Sequence, residues 1–251
     1  MIIQNSPNVT YVDNEGLVPL ISFIKGNLFK TSTLKSTILP NGIVQIDVCN
    51  HASDVEYTRK SITDHFKLYE RVGHLYPVTK SGLKVTGKGN EVGSMRFCTN
   101  YTDLAAVLSD VIQRSDAFPR YYKDYEYQEV SSYFRFMQYS KGGMHFPHYD
   151  SDFDYDKPHS DLVTKYSLVM YFSDCDTGEI AFINDNTEHC QNKSDWERQA
   201  NDDEIYLKVK PRFGRIVLFP HHLCHSVLEY VPKGNDTRMM LRGDIIFKTI
   251  G

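Results

Sequence analysis

The sequence predicts an α+β chain that is mostly β: a sandwich or jelly roll with N-terminal helices packed on one sheet. Three observations lead there. After about residue 130 the chain breaks into short apolar or alternating runs, closed at regular spacing by Gly, Pro and Asp turns. Helical spacing occurs only upstream of that point. The 251 residues are 41% hydrophobic, enough for one large core, and no repeat, low-complexity tract or linker marks a second unit. The whole chain, 1–251, therefore reads as a single domain, with 1–130 as helical and strand support and 131–251 as the β core.

Taken in order, residues 1 to about 95 carry the weakest pattern. Ile43 to Val48 alternates as a strand should. Val55 to Tyr69 reads as helix, with Tyr57, Ile62, Phe66 and Leu68 among charged neighbours. Thr102 to Ile112 is a stronger helix: Leu104, Ala105, Leu108 and Ile112 share a face, and Thr102 or Asp103 can cap it. Strands are expected at Tyr133–Tyr139, Tyr166–Phe172, Glu179–Ile183, Ile205–Val209, Arg215–Phe219, His225–Tyr230 and Arg238–Phe247. Asp174 to Gly178, Pro211, Pro220 and Pro232 to Gly234 supply the turns between them.

Charge and cysteine usage narrow the function classes. With 28 basic against 32 acidic residues the net charge is −4, which argues against a nucleic-acid partner. No apolar run approaches membrane-spanning length, and the N-terminus lacks the pattern of a signal peptide. Cys49, Cys98, Cys175, Cys190 and Cys224 are odd in number and widely spaced, as expected of reduced thiols in a cytoplasmic protein.

Three pieces carry chemistry. In His148-Tyr149-Asp150, an extended backbone points residues i and i+2 to one face, about 6.6 Å apart, so imidazole and carboxylate can reach one cation. His225 follows the apolar run Ile216 to Phe219. Two histidines and a carboxylate are the donor set of the facial triad of non-haem Fe(II) oxygenases, which leaves coordination positions open. Arg238 lies on the next expected strand and can bind a carboxylate in a bidentate pair.

From about residue 133 to 247 the chain resembles the Fe(II)/2-oxoglutarate dioxygenases of the prolyl 4-hydroxylase-like group. The resemblance rests on Met137-Gln-Tyr139, His148-Tyr-Asp150, Met170-Tyr-Phe-Ser-Asp174, Gly178-Glu-Ile-Ala-Phe182, Phe213 to Pro220, His225-Ser-Val227 and Thr237-Arg238. Arg238 lies 13 residues after His225, slightly beyond the family's interval, and Thr177-Gly178 replaces the common Gly-Gly. The resemblance implies a double-stranded β-helix (jelly-roll) core and an iron site on His148, Asp150 and His225. It places 2-oxoglutarate against Arg238, with Tyr139 and Tyr171 as further contacts. The cofactors implied are Fe(II), 2-oxoglutarate and O2, with ascorbate a further candidate. The implied reaction is hydroxylation or a related oxidation of an unactivated C–H in an amino acid, a peptidyl residue or a small metabolite, with release of succinate and CO2. A cupin-like binding protein without catalysis and a nucleic-acid demethylase of related fold are the alternatives.

Strand Arg238–Phe247 offers an internal check. Arg238, Met240, Arg242 and Asp244 share one face, while Met239, Leu241, Gly243, Ile245 and Phe247 share the other. The second face should pack against a core and the first should look into a polar barrel interior. Arg242 is a candidate for substrate binding, or for pairing with Asp244 or another acid. Among other histidines, His159 is a competing His-x-Asp, set aside because it leaves a shorter loop before Tyr171 than His148 does. His145 is expected to point elsewhere on its strand, and His189, His221 and His222 read as polar loop or turn residues. Asp150, Asp152, Asp154, Asp156 and Asp161 form an acidic loop, either simply solvated or a lid favouring a cationic substrate.

Overall fold

The computed structural model describes residues 34–48, 56, 60, 62–64, 76–78, 91–152, 161–185, 198–234 and 237–250. The strands are β1 (Leu34–Ile38), β2 (Val44–Val48), β3 (Tyr76–Val78), β4 (Glu91–Asn100), β5 (Tyr121–Tyr122), β6 (Tyr125–Val130) and β7 (Tyr133–His148). They continue with β8 (Leu162–Tyr171), β9 (Ile180–Ile183), β10 (Ile205–Val209), β11 (Arg215–Pro220), β12 (His225–Val227) and β13 (Arg238–Thr249). One helix, α1 (Thr102–Arg114), lies between β4 and β5.

The strands form one antiparallel sheet in the order β1-β2-β11-β8-β13-β7-β12-β9-β10, with β4 paired to β7 and β6 to β13. The sheet curls into a jelly-roll core. β9 and β11 are far apart along this path, yet Phe182 and Phe219 meet edge to face with ring centroids 5.2 Å apart. Two hydrophobic clusters occupy its two faces. The interior cluster joins Met137, Tyr139, Val169, Tyr171, Ile180, Phe182, Val217, Phe219 and Met240. The outer cluster joins Phe134, Phe136, Leu168, Met170, Leu241, Ile245 and Phe247 to Leu104, Leu108, Val111 and Ile112 of α1.

The period-2 alternation of β13 divides as expected: Met239, Leu241, Ile245 and Phe247 belong to the outer cluster and Met240 to the inner one. The helix expected from Thr102 is present, two residues longer at its C-terminal end. The helix expected over Val55–Tyr69 lies largely outside the described residues. The first 130 residues contribute more than helices, since β2 pairs with β11, β4 with β7 and β6 with β13. The strand expected at Tyr133–Tyr139 runs on to His148, which carries the first motif histidine on the sheet itself.

Candidate metal and anion site

β7 and β12 pair so that His225 sits opposite His148 and Val227 opposite His145. Two steps along β12 thus match three along β7, which is a β-bulge on β7. Below the bulge, His148 Nε2, Asp150 and His225 come together. Their ligand atoms lie within 4.8 Å of one another, and His225 Nε2 is 3.5 Å from Asp150 Oδ2. His148 Nδ1 donates to the Phe146 carbonyl at 2.7 Å and His225 Nδ1 to the Leu223 carbonyl at 3.0 Å. Each bond fixes the ring and leaves the Nε2 lone pair for a cation. Burial, reinforced by the neighbouring His225, lowers the His148 imidazole to about 4, so it is neutral at pH 7. His225 is likewise lowered by burial. Burial alone would raise the Asp150 carboxyl, but the Arg242 guanidinium outweighs it and holds it well below the usual carboxylate range. Two neutral imidazoles and one ionised carboxylate suit Fe(II).

Asp150 is held on both oxygens. Ser167 donates its hydroxyl to Oδ2, and Arg242 Nη2 is 2.8 Å from Oδ1. Arg242 also lies 3.1 Å from Asp244 Oδ1. Of the two roles expected for Arg242, the structure shows the ion pair, with Asp150 and Asp244.

Arg238 is different. It is fully buried, and its guanidinium lies 4.5 Å from the Tyr139 ring centroid and 5.4 Å from that of Tyr171. Nε donates to the Gly178 carbonyl at 2.8 Å. That approach needs glycine: φ is +75°, and a Cβ at 178 would stand 2.8 Å from Arg238 Cδ. Arg238 Nη2 and the Tyr171 hydroxyl are both buried with no formed hydrogen bond, and among the described residues no carboxylate pairs with Arg238. Burial pushes the Tyr171 phenol up against the pull of Arg238, so it stays a donor. Two orphaned donors on an aromatic-walled cation fit an anionic carboxylate that also packs apolar carbons, as 2-oxoglutarate would.

Several neighbours were not foreseen. His145 stacks on His148 with ring centroids 3.7 Å apart. The bulge reverses its expected direction, a consequence of register that local sequence does not reveal. His221 is buried, not a solvated turn residue: Nδ1 is 3.2 Å from Asp152 and Nε2 3.4 Å from Asp244. Burial would lower its pKa, but those acids raise it above the ordinary histidine value. The exposed His222 fits its expected role, bonded to the hydroxyl of the half-buried Tyr122 at 3.0 Å. Ser167 was readable in principle, since it shares alternation with Tyr171 on β8. His159, His189, Asp154 and Asp156 lie outside the described residues.

The model of the 2OG-Fe(II) oxygenase superfamily matches residues 134–243, the span that contains His148, Asp150, His225, Arg238, Tyr139 and Tyr171. The chain is similar to this superfamily over 110 of its 251 residues. It is a 2-oxoglutarate-dependent dioxygenase, using Fe(II), 2-oxoglutarate and O2. Among solved structures it is similar to a prolyl hydroxylase from Trichoplax adhaerens in complex with a hypoxia inducible factor peptide fragment. The identity is 13%, 84% of each chain is covered and the TM-score is 0.50, a likeness of fold. A Pseudomonas putida prolyl-4-hydroxylase is 12% identical, covering 94% of this chain and 100% of that one, with a TM-score of 0.45. HygX from Streptomyces hygroscopicus, solved with nickel, 2-oxoglutarate and hygromycin B, is 12% identical over 83% of each chain, with a TM-score of 0.43. No curated protein matches the chain. Among the described residues, no helix is long and apolar enough to cross a membrane.

Proposed function

We propose that the oxygenase hydroxylates an unactivated C–H of an amino acid, a peptidyl residue or a small metabolite, with His148, Asp150 and His225 as the iron ligands and Arg238 as the anchor of 2-oxoglutarate. The observation that carries this is the pairing of a preset donor triad with a buried arginine that no described carboxylate pairs, in one barrel interior. On this reading the 251 residues work as one oxygenase unit.

The bound iron, 2-oxoglutarate and O2 supply the oxidising power, with 2-oxoglutarate leaving as succinate and CO2. The residues supply binding, orientation and dryness. Nε2 of His148 and of His225 are held as neutral donors by backbone carbonyls. Asp150 adds the anionic ligand. Arg238 and the Tyr171 hydroxyl present their donors to the far carboxylate, while Tyr139 packs beside it. Phe182 and Phe219 wall the space beside His225 and exclude water.

The test is O2 consumption coupled to succinate release in the presence of Fe(II) and 2-oxoglutarate, measured with wild type and His148→Ala. Wild-type protein should form succinate and the variant should not. Full turnover by His148→Ala would remove that residue from the metal. An absence of succinate from the iron-loaded wild type across amino-acid, peptide and metabolite substrates would overturn the reaction proposed.

A further inference from the structure

Beside the metal site runs a ring of three acids and two bases. Asp150 Oδ1 meets Arg242 at 2.8 Å, and Arg242 lies 3.1 Å from Asp244. Asp244 Oδ1 is 3.4 Å from His221 Nε2, close enough for charge pairing though neither atom has a formed hydrogen bond, and His221 Nδ1 is hydrogen-bonded to Asp152 at 3.2 Å. Asp152, two residues beyond Asp150, closes the ring through the backbone and is bonded on its outer side to Lys165 at 2.6 Å. Members come from β8, β13 and the turn after β11, so three elements staple one short segment.

Within that ring the two oxygens of Asp150 do different things. Oδ2 takes the Ser167 hydroxyl and faces His225 Nε2 at 3.5 Å. Oδ1 is taken by Arg242, whose side chain is only 13% exposed. A guanidinium fixed between two carboxylates has little freedom to release one of them.

We propose that Arg242 is a positioning residue for the metal ligand Asp150: it withholds Oδ1, so the carboxylate is presented to the metal through Oδ2 alone. The inference rests on the metal-site reading above. It gives Arg242 a task distinct from that of Arg238 on the same strand face. Asp244 and His221 act one step further out, by keeping Arg242 in place. Without Arg242 the buried carboxylate loses its fixed orientation, so metal binding weakens and the coordination becomes mixed.

The test uses the full chain and metals that need no turnover: Mn(II) affinity by calorimetry, and the ligand-field absorption of Co(II)-loaded protein, which reports coordination. Arg242→Met should bind Mn(II) about 10- to 100-fold more weakly, the usual cost of removing an outer partner of a metal ligand. Its Co(II) spectrum should change, and Arg242→Lys should restore both values toward wild type. Where Arg242→Met does not fold, Asp244→Asn reads the same quantities and should shift both in the same direction by less. Wild-type affinity and spectrum in the folded variants would overturn the proposal. So would an affinity loss with an unchanged Co(II) spectrum that lysine does not repair. His148→Ala is the control: Mn(II) binding retained there would strike at the metal site itself, whatever Arg242 does.

Discussion

Arg238 and Arg242 stand four residues apart on one face of β13, both nearly sealed from water, and their surroundings are opposites. Arg242 is enclosed by Asp150 and Asp244, so its charge is balanced within the protein. Among the described residues Arg238 faces two tyrosine rings, a backbone carbonyl and a methionine sulfur, with one guanidinium nitrogen unbonded. A buried charge without a counter-ion is costly, so a fold that keeps one needs a ligand to complete it. The first arginine is part of the protein's structure; the second is half of a binding interaction.

The contrast is sharpest in the stability of the ligand-free protein. Arg242→Met strands two buried carboxylates and should cost about 3–5 kcal/mol. Arg238→Met removes an uncompensated cation and should be neutral or stabilising. Chemical denaturation of the metal-free proteins compares them, and an equal loss in both would erase the distinction. Metal loading comes next. With Mn(II) at 100 times its dissociation constant, wild type should gain about 2.7 kcal/mol, and a chelator should reverse the gain. His148→Ala should gain little at the same concentration. A smaller effect is expected at the anchor's edge: Tyr171→Phe removes one donor and should weaken 2-oxoglutarate by about 0.5–1.5 kcal/mol, roughly 2- to 13-fold, leaving Mn(II) affinity unchanged.

The smallest effect lies at the outer end of the ring. Hydrogen bonds from His221, then Lys165, hold Asp152 at about 2, below its ordinary value of 3.8. A depressed carboxyl adds stability that is full above pH 4 and is lost as pH falls toward 2. Asp152→Asn should therefore flatten that acid limb of the stability profile and leave the neutral range little changed. Because Asp152 is partly exposed, solvent screening keeps the change small.

Much of this contrast was legible beforehand where a single strand's alternation sufficed. The polar face of β13 and the approach of His148 to Asp150 follow from period 2 alone, and α1 follows from four apolar residues on one face. What escaped depends on how strands align. His145 reaches His148 only because β7 carries a bulge opposite β12, and His221 is buried only because the turn after β11 folds over Asp244. β4 was missed because Glu91 to Asn100 mixes charge, glycine and apolar residues without alternation; its partner β7 dictates the strand. Arg238 and Arg242 look alike in sequence, and only the register that sets Arg242 beside Val169 and Asp244 beside Ser167 brings Arg242 to Asp150.

The most direct measurement is an anaerobic titration of 2-oxoglutarate into Mn(II)-loaded wild type and Arg238→Met. Losing the buried charge pair should weaken 2-oxoglutarate by about 2–5 kcal/mol, at least 30-fold, while Mn(II) affinity stays within a few-fold. Undiminished 2-oxoglutarate binding by Arg238→Met would contradict the account, because the orphaned guanidinium would then have some other partner.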